Sequence, residues 1–120
     1  VQRCTSEATD QALAHAVRIA RSVASLVHRC TDRVTVRLHG ACLGAGIEIP
    51  AAAGSITADR GTRLGLPEVG MGLIPGAGGT VTVRRRIGRH RTCYLGLSGR
   101  RLTAEEALAW GLVDGIEDVV

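Results

Sequence analysis

The feature that most constrains this chain is a forty-residue stretch, Gly40 to Gly79, that contains eleven glycines. Glycine at that density means repeated tight turns and close approach of the backbone to a ligand or to another segment. The stretch is not a flexible linker, because apolar residues run through it and Ser and Pro are sparse. The surrounding core has to be aliphatic. Trp110 and Tyr94 are the only aromatic residues, so Ala, Val, Leu and Ile must fill the interior. The near-absence of aromatic faces also removes the stacking platforms on which single-stranded nucleic acids bind. A chain of 120 residues, 45% hydrophobic and 22% charged, fits one globular domain or a piece of one.

The flanking segments carry clearer periodicity. Leu13, Ala16, Val17, Ala20, Val23, Ala24 and Val27 form one apolar stripe, predicting a helix from Thr9 to about Cys30, capped by Thr9 or Ser6 with Asp10 in its first turn. Val34-Thr-Val-Arg-Leu-His alternates strictly and predicts a strand. Inside the glycine-rich stretch, Ile47 to Ala53 fits a short helix with Pro50 near its first turn, and Ile56-Thr-Ala and Thr62-Arg-Leu fit short strands. A second helix is expected to begin after Pro75-Gly-Ala-Gly-Gly-Thr and to run through the Arg cluster toward Leu97. Thr103-Ala-Glu-Glu is a capping-box pattern opening a third helix that ends at Gly111, before a terminal strand, Leu112 to Glu117. No sequence period of fixed length is visible. His15, His28 and His39 fall at polar or boundary positions, where a structural or solvent role is the default.

Charge is unevenly distributed. All fifteen basic residues are Arg, against eleven acids, giving +4. Seven of them (Arg84, Arg85, Arg86, Arg89, Arg91, Arg100 and Arg101) lie between Val69 and Ala104 with no carboxylate among them, whereas the last eighteen residues hold five acids and no Arg. Two readings stand: a solvated helix face, or a neighbouring phosphate-bearing ligand gripped by guanidinium forks. No apolar run approaches the ~20 residues of a membrane span, and no secretory signal is visible. The four cysteines form no C-x-x-C pair and sit at no ligand spacing to a His, so reduced thiols in a cytoplasm are expected and a metal site is not.

Several motifs can be weighed for chemistry. Gly44-Ala-Gly46 lacks the third glycine of a dinucleotide fingerprint, since Ile occupies position 49, and a phosphate loop needs a Lys the chain does not have. Cys42 has no evident partnering base and reads as a small buried thiol. Glu48 and Glu68 are carboxylates set among apolar and small residues. Each is either on a surface turn or stripped of solvent, with a raised pKa suited to proton transfer.

The segments His39-Gly-Ala-Cys-Leu-Gly-Ala-Gly-Ile-Glu-Ile and Leu64-Gly-Leu-Pro-Glu-Val-Gly-Met-Gly-Leu-Ile-Pro-Gly-Ala-Gly-Gly-Thr resemble the enoyl-CoA hydratase/isomerase (crotonase) superfamily. The likeness continues through Leu97-Ser-Gly-Arg-Arg-Leu-Thr-Ala-Glu-Glu-Ala and Ala109-Trp-Gly-Leu-Val-Asp, covering most of residues 34–118. It implies an α/β fold, a superhelix of β-β-α turns. Here that fold would be partial, without the N-terminal turns and C-terminal helices of the longer family members. Residues 1–33 would be a helical lead-in, 34–79 the active-site core, and 80–120 helices and a terminal strand.

The resemblance also implies an activity. The substrate would be an acyl-CoA thioester whose carbonyl oxygen is held by two backbone N–H groups. One of these maps onto Ala45, after Gly44; the other would lie upstream of Val1. Glu48 and Glu68, twenty residues apart, match the paired glutamates of hydratases, which add water across the C2–C3 double bond. Gly76 would place a helix N-terminus near the reacting atoms. Isomerase relatives use the counterpart of Glu68 alone, and a non-catalytic acyl-CoA-binding fragment is a further alternative. No cofactor is implied beyond the coenzyme A of the substrate. Partners would be further copies, as a trimer or dimer of trimers, with no nucleic acid and no membrane.

Overall fold

The protein is represented by a computed structural model that describes residues 2–67 and 79–118. The chain begins with a long helix, α1 (Gln2–Arg29), and a 3₁₀ turn, Thr31–Arg33. Strands β1 (Thr35–Leu38) and β2 (Ala41–Leu43) then lead into a single-turn helix, α2 (Ala45–Glu48), and a second 3₁₀ turn, Pro50–Ala52. Strands β3 (Ser55–Asp59) and β4 (Arg63–Gly65) repeat the pattern, followed by α3 (Gly79–Ile87) and α4 (Arg89–Ser98). Strand β5 (Leu102–Thr103), helix α5 (Ala104–Trp110) and strand β6 (Gly115–Glu117) complete the described chain.

The strands stack by type. β1, β3 and β6 form one sheet, all parallel, with Val36 opposite Ile56 and Ala58 opposite Ile116. β2 and β4 are parallel in the other, with Cys42 opposite Leu64, and β5 closes its edge antiparallel to β4. Each β-β-α unit is therefore one turn of a solenoid, and the β1–β3 partners lie twenty residues apart in sequence. The sequence shows no such repeat, because only the pattern of inward-facing apolar positions recurs and not the residues themselves.

The core between the sheets and helices is aliphatic, as expected. Ile56, Leu64, Leu102, Val83, Ala58, Ala104 and Ala107 are fully buried, with Ile47, Leu66, Leu95, Leu112 and Val113 almost so. Aromatic packing is peripheral: Trp110 lies against the core's edge, with Tyr94 at 6.2 Å and the Arg91 guanidinium 5.0 Å from its ring centre. Among the described residues, no helix is long and apolar enough to cross a membrane.

Four local expectations need correction. α1 starts at Gln2, so Ser6 and Thr9 lie inside the helix instead of capping it, and Asp10 is past its first turn. Its apolar stripe is only partly covered: Ala24 is buried and Val27 packs on the core, but Ala16 and Val23 are exposed. The helix expected over Ile47 to Ala53 is two pieces. Pro50 has no N–H to continue an α-ladder, so α2 passes into a 3₁₀ turn, with Ile49 holding helical dihedrals between them. The helix expected to run through the Arg cluster is likewise broken, at Gly88, whose φ of +85° no helix tolerates. The capping box of α5 forms as expected. Thr103 Oγ1 accepts from the Glu106 N–H, the Glu106 carboxylate accepts from the Thr103 N–H, and Gly111 ends the helix.

Candidate active site

The site is built where β2 becomes α2. Gly44 N–H donates to Gly65 O at 3.0 Å, the last ladder bond between β2 and β4. The Gly44 carbonyl accepts from Ile47 and Glu48, at 3.0 and 2.9 Å, the first bonds of α2. One residue thus serves both strand and helix. It does so at φ +57°, ψ −123°, a conformation that a side chain bars. The turn leaves Ala45 and Gly46 as the first two helical residues, with N–H groups that have no intrahelical acceptor. Both residues are exposed, and no backbone carbonyl among the described residues accepts from either N–H.

Glu48 closes this turn and faces inward. It is 1% exposed, the most buried carboxylate among the described residues, in a helix whose Ile47 is equally covered. A surface-turn position for this side chain is thereby excluded. Its backbone is fixed from α3: Thr82 Oγ1 donates to Glu48 O at 2.7 Å, and Thr82 is itself buried. Cys42, just upstream, is a buried thiol whose Sγ–H points to His39 O at 3.4 Å. Burial pushes that thiol's pKa up, which opposes a nucleophilic role.

The strands deliver a second segment to the same edge. β2 and β4 are parallel and in register at Leu43 and Gly65, so both leave the sheet at the same end. Leu66, the next residue, is buried, and Pro67 is half-buried. Among the described residues, no group of three His, Cys, Asp or Glu side chains is placed to hold a metal ion.

The family model for Enoyl-CoA hydratase/isomerase matches residues 5–119 of this chain. The chain belongs to that family. Among solved structures, an enoyl-CoA hydratase from Bacillus anthracis is 36% identical with a TM-score of 0.85, over 91% of this chain and 42% of its own. An enoyl-CoA hydratase from Thermoplasma volcanium is 34% identical with a TM-score of 0.82, over 91% of this chain and 44% of its own. DspI from Pseudomonas aeruginosa is 31% identical with a TM-score of 0.72, over 88% and 41%. This member of the enoyl-CoA hydratase/isomerase family thus spans less than half the length of these structures, and its α/β solenoid is a partial crotonase fold.

Of the five family-type positions, Gly44, Ala45 and Glu48 fall on one strand-to-helix turn. Glu68 and Gly76 lie outside the described residues. Two contributors to the site were not anticipated. Thr82 holds the Glu48 carbonyl. Arg86 donates to Ala51 O at 3.0 Å and Ala53 O at 2.7 Å, and pairs with Asp114 at 3.2 Å, tying the turn after α2 to the approach to β6. The helical period held a signal for both, since Thr82, Val83, Arg86 and Ile87 share one face of α3.

Proposed function

We propose that this chain carries the acid–base half of a hydratase site, acting by syn addition of water across the C2–C3 double bond of a 2-enoyl-CoA thioester. Glu48 and Glu68 hold the water. As its oxygen bonds to C3, one carboxylate takes its proton, and Glu68 delivers a proton to C2. The enolate charge that develops on the thioester oxygen is met by the Ala45 N–H. The observation that carries this reading is the burial of Glu48 on the very turn that leaves the Ala45 N–H without an acceptor. The parallel exit of β2 and β4 supports it, since it directs the chain leading to Glu68 toward the same edge.

Each oxyanion donor is worth about 3 kcal/mol, a factor of 10²–10³ in rate. The chain supplies one, so full turnover requires the donor carried by the portion of the fold its relatives add. The test is Glu68→Gln in the full-length protein, followed by loss of enoyl absorbance from a 2-enoyl-CoA. Turnover is expected to vanish; unchanged turnover overturns the proposal. A second reading, an acyl-CoA-binding unit without turnover, is favoured by the chain spanning 42–44% of its hydratase relatives. Saturable binding of an acyl-CoA with no hydration distinguishes it. Isomerisation by Glu68 alone would instead leave Glu48→Gln active on a 3-enoyl-CoA.

A further inference from the structure

The arginine-rich stretch is not used by the hydration chemistry, and the fold sorts its members sharply. Every acid of the C-terminal stretch has an arginine partner: Glu105 and Asp118 pair with Arg60, Glu106 with Arg100, Asp114 with Arg86 and Glu117 with Arg37. Among the described residues, no carboxylate lies within ion-pair distance of Arg85. Its guanidinium meets an imidazole instead, with Nη1 3.0 Å from His28 Nδ1 and 3.1 Å from Nε2.

Arg85 and His28 stand together over a cavity between α1 and α3. It has a volume of about 300 Å³, floored by Ala51, Ala52 and Ala53 and walled by Thr31, Thr82 and Arg86. A second hollow of about 180 Å³ shares His28, Thr82 and Arg85 with it and extends along α1 past Ser25 to Arg21. Among the described residues, no acid lines either one. Arg86 is already committed to backbone carbonyls and Asp114, so the rim cation facing the cavity without an acidic partner is Arg85. A guanidinium beside an imidazole, on a pocket with an apolar floor, matches a tetrahedral oxyanion carried on a small hydrocarbon body. The combined volume suits a ligand of that size.

We propose that the α1–α3 groove is a phosphate-binding site, with the phosphoryl oxygens on Arg85 and His28 and any organic substituent on the Ala51 to Ala53 floor. Thr82 lines the groove and also holds the Glu48 carbonyl, and the groove's occupation does not depend on enoyl-CoA chemistry.

The test titrates inorganic phosphate and butyl phosphate separately into the protein and follows backbone amide signals. Binding should move the signals of His28, Gly54, Thr82 and Arg85. Arg85→Gln should weaken it about tenfold or more, the loss of a charge-assisted bond. His28→Gln should also weaken it, and Arg89→Gln, outside the groove, should leave it unchanged. Tighter binding of butyl phosphate assigns the site to an organic phosphomonoester; equal binding assigns it to free phosphate. The proposal is overturned if neither probe moves the groove signals. It is equally overturned if Arg85→Gln and Arg89→Gln weaken binding alike, since that reports diffuse charge and not a site.

Discussion

The Thr82 hydroxyl donates to the Glu48 carbonyl across 2.7 Å, joining two helices whose residues are thirty-four apart in sequence. Both residues are buried, so the bond fixes the end of α2 without competition from water. The position of the Glu48 carboxylate therefore depends on a residue that never has to touch the substrate.

Thr82→Val keeps the shape and removes the hydroxyl. It should cost about 1 kcal/mol of stability, more if the carbonyl finds no other donor. Urea unfolding measures the first effect. In the full-length protein the same change should lower kcat more than it raises KM, as expected for a positioning residue.

Gly44→Ala tests the strand-to-helix turn. The backbone there holds φ +57° and ψ −123°, and a methyl group should cost about 1–3 kcal/mol. The strain falls next to the Ala45 N–H, so activity should fall alongside the urea midpoint. Wild-type stability in the alanine variant would show that the turn is not held in this conformation.

Arg86→Met should destabilise the fold by about 2 kcal/mol, because two backbone carbonyls and Asp114 lose a charged donor at once. Arg86→Lys should recover only part of this, as an ammonium lacks the planar fork that reaches both carbonyls. Thermal unfolding of the three proteins ranks them.

Two C-terminal carboxyls favour their charged forms in the fold. Glu106 is held below its usual range by the Thr103 backbone N–H and then by Arg100, and Asp118 by its hydrogen bond to Arg60. A depressed folded-state pKa adds stability above the unfolded value and loses it as pH falls through the folded one. Melting temperature should hold down to the ordinary values of 4.5 and 3.8, then decline. The decline should be shallower in a Glu106→Gln, Asp118→Asn double variant. At neutral pH, Thr103→Ala should cost about 1 kcal/mol through loss of the cap.

Thiol reactivity should follow burial. Cys93 is exposed and Cys30 half-buried, whereas burial raises the pKa of Cys42. Timed alkylation at neutral pH, read by mass spectrometry, should modify Cys93 before Cys42. Early loss of Cys42 would mean that the β2 end of the core is open.

The sequence alone determined what is local. Strict alternation placed β1, the Thr103 and Glu106 pair placed the start of α5, and the scarcity of aromatic residues required an aliphatic core. Each of these depends on neighbours a few residues away, whose geometry the chain itself enforces. The family-type motif named Gly44, Ala45 and Glu48 before any coordinates. Tertiary structure decided the rest. Whether Glu48 faced water or the interior depended on α3 packing against α2. Which of three consecutive arginines became structural depended on where the Ala51 and Ala53 carbonyls and Asp114 came to lie. The break at Gly88 was equally non-local, for α3 and α4 had to turn to bury Val83 and Leu95 in the same core. Contacts between distant segments are set by packing, and a linear pattern records them only where helical or strand period happens to align with them.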